Sequence, residues 1–159
     1  MYWWGPLVLI ATFVLTEFSA WFNHKYIMHG FLWKFHKDHH QPEPGPFEKN
    51  DIFFLLYAIP SWLLIMLGFM YETYFFVWVG FGISAYGLAY SLFHDVYIHR
   101  RFRFMDKMDG PYFMAIRKAH KVHHKNRGKE KGECFGMLIV PLKYYKESRK
   151  AYHLKTKKS

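Results

Sequence analysis

The stretch "IFFLLYAIPSWLLIMLGFMYETYFFVWVGFGISAYGLAYSLFHDVYIH" (residues 52–99) decides the fold. Residues 52–93 contain neither Lys nor Arg, and "YET" (71–73) alone separates an apolar run of 19 residues (52–70) from one of 20 (74–93). As helices, each run reaches roughly 30 Å, the thickness of a bilayer's hydrocarbon core. A three-residue link makes them an antiparallel membrane hairpin. Pro60, Gly80, Gly82 and Gly87 are tolerated in such helices, where neighbouring helices repair the backbone. A third run of 20 residues, 3–22, lies upstream. It lacks a basic n-region, exceeds the length of a signal-peptide core and carries Glu17, so we expect a retained span.

Charge sets the orientation. All 22 Lys and Arg fall within 23–51 or 94–159. The hairpin puts those two segments on one side, which the positive-inside rule makes cytoplasmic, with the N-terminus outside. The expected class is an all-α integral membrane bundle of three membrane helices in one domain (1–142), followed by a basic tail (143–159). The tail lacks apolar periodicity and is expected on the surface or disordered, with His153 a solvated histidine. The short apolar run 134–142 cannot span and is expected to dip into the interface. The net charge of +10 lies beside membrane spans, which favours anionic lipid headgroups over nucleic acid. One cysteine, Cys134, excludes an internal disulfide and reads as a packed thiol.

Ten of the 11 histidines form four short groups: His24 and His29; His36, His39 and His40; His94 and His99; His120, His123 and His124. The triplets are HxxHH, a spacing that gathers three imidazoles on one helical face. Pro111 suits the first turn of the helix carrying the second triplet, and Pro42 and Pro44 close the helix carrying the first. The pairs are HxxxxH, and five α-helical steps turn about 140° past one face. His24 and His29 therefore straddle a helix end, which Gly30 permits, or serve different metals; His94 and His99 pose the same choice. Chance would supply roughly 0.05 HxxHH matches in such a chain, and it has two.

Imidazole ligates Fe, Zn, Cu and Ni, and affinity alone does not choose among them. Ten imidazoles are too many for one structural zinc and suit two metals with open positions. No cysteine cluster accompanies them to hold an iron–sulfur site. Asp38 and Asp95 sit inside the motifs, either as acceptors that hold an imidazole N–H or as hydrated interfacial groups. Glu17, seven residues before His24, either lines the site or snorkels.

HxxxxH, HxxHH, HxxxxH, HxxHH beside membrane helices resembles the membrane di-iron hydroxylases and desaturases of the fatty acid hydroxylase superfamily. "HKYIMHG" (24–30), "GPFEKND" (45–51), "AYGLAYSLFHD" (85–95), "AHKVHHKNRGKE" (119–130) and "FGMLIVP" (135–141) resemble the bacterial β-carotene hydroxylase branch. The resemblance covers about residues 10–142. It implies an O2-dependent monooxygenase of the bacterial cytoplasmic membrane, with two iron ions on the ten clustered histidines; zinc substitutes in purified protein. Its implied reaction places hydroxyls on C3 and C3′ of β-ionone rings, converting β-carotene through β-cryptoxanthin to zeaxanthin, and extends to 4-keto rings. Structurally known members of the wider superfamily have four membrane helices, against three counted here.

A carotenoid's ring would lie near the interface, where Trp33, Phe35, Tyr86, Tyr90 and Phe93 either line its entry or form an aromatic belt. No flavin, haem or nucleotide fingerprint is present, so electrons are expected from a reduced ferredoxin. Arg100, Arg101, Arg103, Lys118, Lys125 and Arg127 offer it a basic surface or meet lipid headgroups instead. Two alternatives remain. A fatty-acyl or sterol hydroxylase or desaturase shares the histidine pattern, and a metal transporter or buffer shares the ligands. Transporters, however, place ligands near the midplane between repeated halves.

Overall fold

The computed structural model describes residues 2–42, 44, 47–102, 105 and 108–157. Helix α1 (Gly5–Phe22), with Pro6 in its first turn, runs directly into a π-helical segment, π1 (Asn23–Phe31). Helix α2 (Trp33–His40) follows after a break at Gly30 (φ −95°, ψ −126°). A 3₁₀ turn, Lys49–Asp51, leads into α3 (Ile52–Met70), and residues 71–73 turn the chain into α4 (Tyr74–Ser91). Helix α4 again continues as a π-helix, π2 (Leu92–Ile98). Two more helices complete the order, α5 (Pro111–Lys125) and α6 (Leu142–Thr156).

Three helices among the described residues are long and apolar enough to cross a membrane, spanning Gly5–Phe31, Lys49–Met70 and Tyr74–Ile98. Helix α4 packs on both α3 and α1. Glycine lets it come close. A Cβ on Gly80 would lie 2.6 Å from Ile65 and 2.8 Å from the Ser61 carbonyl of α3; one on Gly82 would lie 2.6 Å from Thr12 and 2.8 Å from the Leu9 carbonyl of α1. Small residues at such crossings are how membrane helices gain van der Waals contact. Ser61 adds hydrogen bonds to the Gly80 carbonyl (2.8 Å) and Ser84 Oγ (2.6 Å). The outer faces are apolar and exposed, with Leu7, Leu15, Phe69 and Phe76 among the residues presented outward, as lipid contact requires.

Of the two expectations for the tail, surface-bound or disordered, the second fails: the segment is an ordered helix with a mostly exposed face. Helix α6 buries Tyr144 and Ser148, one turn apart, and Tyr144 joins Ala115 and Ala119 of α5 in a small core. Lys118–Glu147 (2.6 Å) and Lys143–Glu133 (3.2 Å) flank this contact. Two buried positions are too few to register as periodicity. His153 is exposed on α6.

Candidate metal centre

The HxxxxH pairs are explained by the π-helices. In a π-helix the backbone bonds i to i+5, so residues five apart come one turn apart. The His99 amide donates to the His94 carbonyl (2.9 Å), the i+5 bond itself. The rings of His94 and His99 consequently lie 4.5 Å apart, and those of His24 and His29 lie 5.2 Å apart. Neither pair diverges as α-helical winding would require. The HxxHH triplets occupy α2 and α5, and His40 of the first stacks on His124 of the second at 4.5 Å with 9° between planes.

Two ligand groups result. His24, His29, His36, His40 and His123 can each bring one nitrogen within 4.8 Å of all the others, and so can His39, His99, His120 and His124. His94 stands beside the second group, its Nε2 3.1 Å from that of His39. Each triplet thus divides: His36 and His40 join the HxxxxH pair that precedes them, while His39 crosses to the other group. His120 and His124 join His99, while His123 crosses back. His24 and His29 serve one group, which resolves the choice the sequence leaves between a helix end and two metals.

The outward nitrogens show which proton form is present. Nδ1–H of His24 donates to the Phe135 carbonyl (2.9 Å), His29 to Lys129 (3.0 Å), His40 to Asn126 (3.1 Å) and His123 to Glu133 (2.8 Å). His36 Nδ1–H donates to Asn50 Oδ1 (2.6 Å), His39 to Glu48 Oε2 (2.9 Å) and His94 to Asp95 Oδ1 (2.8 Å). A neutral imidazole has one N–H, so Nε2 of the first six of these rings carries a bare lone pair. Burial holds His40 down to about 4, His99 and His123 to about 3 and His36 to about 2, so these rings stay neutral at physiological pH.

Those lone pairs then face one another. The Nε2 atoms of His24 and His36 are 3.1 Å apart, and those of His40 and His36 3.2 Å. With both protons committed outward, neither of these pairs can be a hydrogen bond. His29 Nε2 and His123 Nε2 are buried without any partner. Buried lone pairs brought together and left unsatisfied are costly, and a cation among them removes that cost. The residues fit a pair of metal ions.

Other side chains named from the sequence fall as follows. Asp95 holds His94; Asp38 instead accepts from the Lys49 amide, and its Oδ1 is buried without a partner. Glu17 accepts from the Tyr86 hydroxyl (2.7 Å) and from three backbone amides of the segment after α5. Tyr86 and Tyr90 line an apolar cavity of about 570 Å³ between α1, α3 and α4, which reaches His24 of the first group and His94 beside the second. Trp33 packs on the rings of His29, His36 and His40; Phe93 packs on Phe113; Phe35 lies under Lys34. None of these three borders the cavity. Arg101 pairs with Glu48 (3.3 Å) and Asp51 (3.1 Å), Lys118 with Glu147, and Arg103 lies outside the described residues. The composition-based reading missed Asn50, Glu48 and the carbonyl-bearing segment 126–135. Asn50, Glu48, Asn126, Lys129 and Phe135 had only the signal of lying inside the strings "GPFEKND", "AHKVHHKNRGKE" and "FGMLIVP", and Glu133 lies in none of them.

The model of the fatty acid hydroxylase family matches residues 9–142. The chain is 40% identical over 138 residues to a β-carotene hydroxylase of Pantoea ananas, covering 87% of this chain and 78% of that protein. It is 37% identical over 136 residues to a β-carotene hydroxylase of Pseudescherichia vulneris, covering 86% and 77%. A chloroplastic β-carotene 3-hydroxylase of an Oncidium hybrid cultivar is 36% identical over 133 residues, 82% of this chain and 43% of the longer plant protein. No solved structure matches the chain. The matched region takes in all ten clustered histidines, and the chain belongs to the fatty acid hydroxylase family, as a hydroxylating oxidoreductase of the membrane.

Proposed function

We propose that this protein hydroxylates the C3 and C3′ methylenes of β-ionone rings in bilayer carotenoids, taking β-carotene through β-cryptoxanthin to zeaxanthin. The observation that carries the proposal is the apolar cavity that touches His24 of the first ligand group and His94 beside the second. The names of the relatives supply the substrate class. Two iron ions, the first on His24, His29, His36, His40 and His123 and the second on His39, His94, His99, His120 and His124, supply the O2-dependent chemistry of an unactivated C–H bond. The balance is ring C–H plus O2, two electrons and two protons, giving ring C–OH and water. Electrons come from an external donor, for which a reduced ferredoxin is the proposed class.

The chain's own residues bind, orient and exclude water. The walls of the cavity are aliphatic and aromatic side chains such as Phe53, Ile65, Ile83 and Leu88, which suit a hydrocarbon ring. Neutral imidazoles with outward N–H groups already bonded present preorganised lone pairs, so little rearrangement is needed on metal binding. The confinement of all Lys and Arg to 23–51 and 94–159, which the hairpin puts on one side, supports a cytoplasmic centre in a bacterial inner membrane. A 4-keto ring retains the attacked methylene and is accepted too. We place the hydroxylase domain at 1–142 and treat 143–159 as its basic extension.

Pigment analysis of β-carotene-producing cells tests this. Expression should yield β-cryptoxanthin early and zeaxanthin later, with the new oxygens drawn from O2. His39→Ala and His123→Ala should abolish product, and His153→Ala should not. Unchanged carotene alongside newly hydroxylated or desaturated acyl chains or sterols would transfer the activity to the lipid alternative.

A further inference from the structure

We infer that Glu17 is a positioning residue for one of the two metal positions, acting through the backbone strap that follows α5. The inference rests on the two-metal reading. Glu17 lies in membrane helix α1 and is only 4% exposed. Its Oε1 accepts from three consecutive amides, Met137 (3.0 Å), Leu138 (2.9 Å) and Ile139 (2.9 Å). Its Oε2 accepts from the Tyr86 hydroxyl of α4 (2.7 Å). Successive amides aimed at one oxygen form an anion-binding nest. Here the accepting oxygen is part of the chain itself, and what it holds is the 137–139 end of the strap 126–139.

That strap has no regular secondary structure. Its carbonyls at Asn126, Lys129, Glu133 and Phe135 receive the Nδ1–H groups of His40, His29, His123 and His24. All four histidines belong to the first ligand group. The Phe135 ring also packs on His24, His29 and His123 at 5.1 to 5.5 Å. In the second group, His39 is held by Glu48, and neighbouring His94 by Asp95. Neither carboxylate is on the strap. An irregular segment must be seated by something rigid, and Glu17 supplies the seat from the helix that also delivers His24 and His29. Releasing the nest therefore loosens the orienting carbonyls of one position and spares the other. Gly136 offers a second way in, because a Cβ there would lie 2.7 Å from the Ile139 carbonyl and 3.3 Å from Glu17 Oε1.

The test uses purified full-length protein in detergent, with metal counted after a fixed chelator challenge and amide exchange followed by mass spectrometry. Wild type should keep two ions per chain, and Glu17→Leu should keep close to one, with exchange accelerated across 137–139. Gly136→Ala should reproduce both effects with the carboxyl group intact, which separates seating from the burial of Glu17. Glu17→Gln retains an acceptor oxygen for the nest and should restore the count to two. Adding His99→Ala to Glu17→Leu should remove the remaining ion. Glu17→Leu and Gly136→Ala both keeping two ions, with unchanged chelator release, would overturn the inference while leaving the metal reading intact. A wild-type chain that holds no metal after expression in iron-replete cells would overturn the metal reading, and this inference with it.

Discussion

Replacing Asn50 with leucine should weaken metal binding at the first ligand group by roughly 10- to 100-fold, without touching a ligand. Asn50 Oδ1 receives the His36 Nδ1–H at 2.6 Å, and His36 is 1% exposed, so no water substitutes for the lost acceptor. Two responses are open to the ring, and both cost affinity. If Nδ1 keeps its proton, a buried donor is left unpaired, at about 1–3 kcal/mol. If the proton moves to Nε2, the lone pair between His24 and His40 disappears and the group loses a ligand. At about 1.4 kcal/mol per decade, the first response alone spans about one to two decades. Asn50→Asp keeps an acceptor and adds charge, which makes the imidazole more basic, so affinity there should hold or tighten. Competition against a chromophoric chelator at fixed free metal reads both variants. An Asn50→Leu affinity within threefold of wild type, or equal weakening by leucine and aspartate, would refute the reasoning.

Gly80→Ala places a Cβ 2.6 Å from Ile65 and 2.8 Å from a backbone carbonyl, and should lower hairpin stability by about 1–3 kcal/mol, read as a fall in Tm in detergent. Gly87→Ala, with nothing within 4 Å, is the matched control and should leave Tm unchanged. A topology reporter at Glu72 should be external and one fused after Ser159 cytoplasmic; a cytoplasmic signal at Glu72 would contradict the three-span orientation.

The membrane hairpin was legible because lipid imposes a simple rule: 52–93 carries no Lys or Arg, and three residues can only turn back. The histidines were legible as a metal-binding set because HxxHH fits an α-helical face. What the sequence hid were the interactions that act at a distance. The spacing of five in each HxxxxH looked discordant on α-helical winding, and only the π-helices at Asn23–Phe31 and Leu92–Ile98 make it coherent. Glu17 and the Met137–Ile139 amides are separated by some 120 residues, and their pairing leaves no periodicity to read. Backbone carbonyls, which hold four of the imidazoles, have no residue signature at all. Helix α6 was missed for a related reason: Tyr144 and Ser148 bury one turn of an otherwise charged surface.

The doubled histidine in HxxHH has a physical consequence beyond density of ligands. Adjacent positions on an α-helix diverge by about 100°, whereas positions four apart nearly coincide. So in α2, His36 and His40 point together while His39 points away, and in α5, His120 and His124 point together while His123 points away. Where their histidine rings meet, the two helices exchange these odd members: His39 enters the group built on α5, and His123 enters the group built on α1 and α2. Each helix therefore contributes to both positions, and the stack of His40 on His124 lies between them. A small rotation of either helix would draw ligands away from both groups at once. The crossing of the odd members is set by helix geometry and ring packing, His39 on His124 at 4.6 Å and His123 on His40 at 4.7 Å. It also explains why the membrane helices are extended by π-turns. The first brings His24 and His29 to one group, and the second brings His99 to the other with His94 beside it.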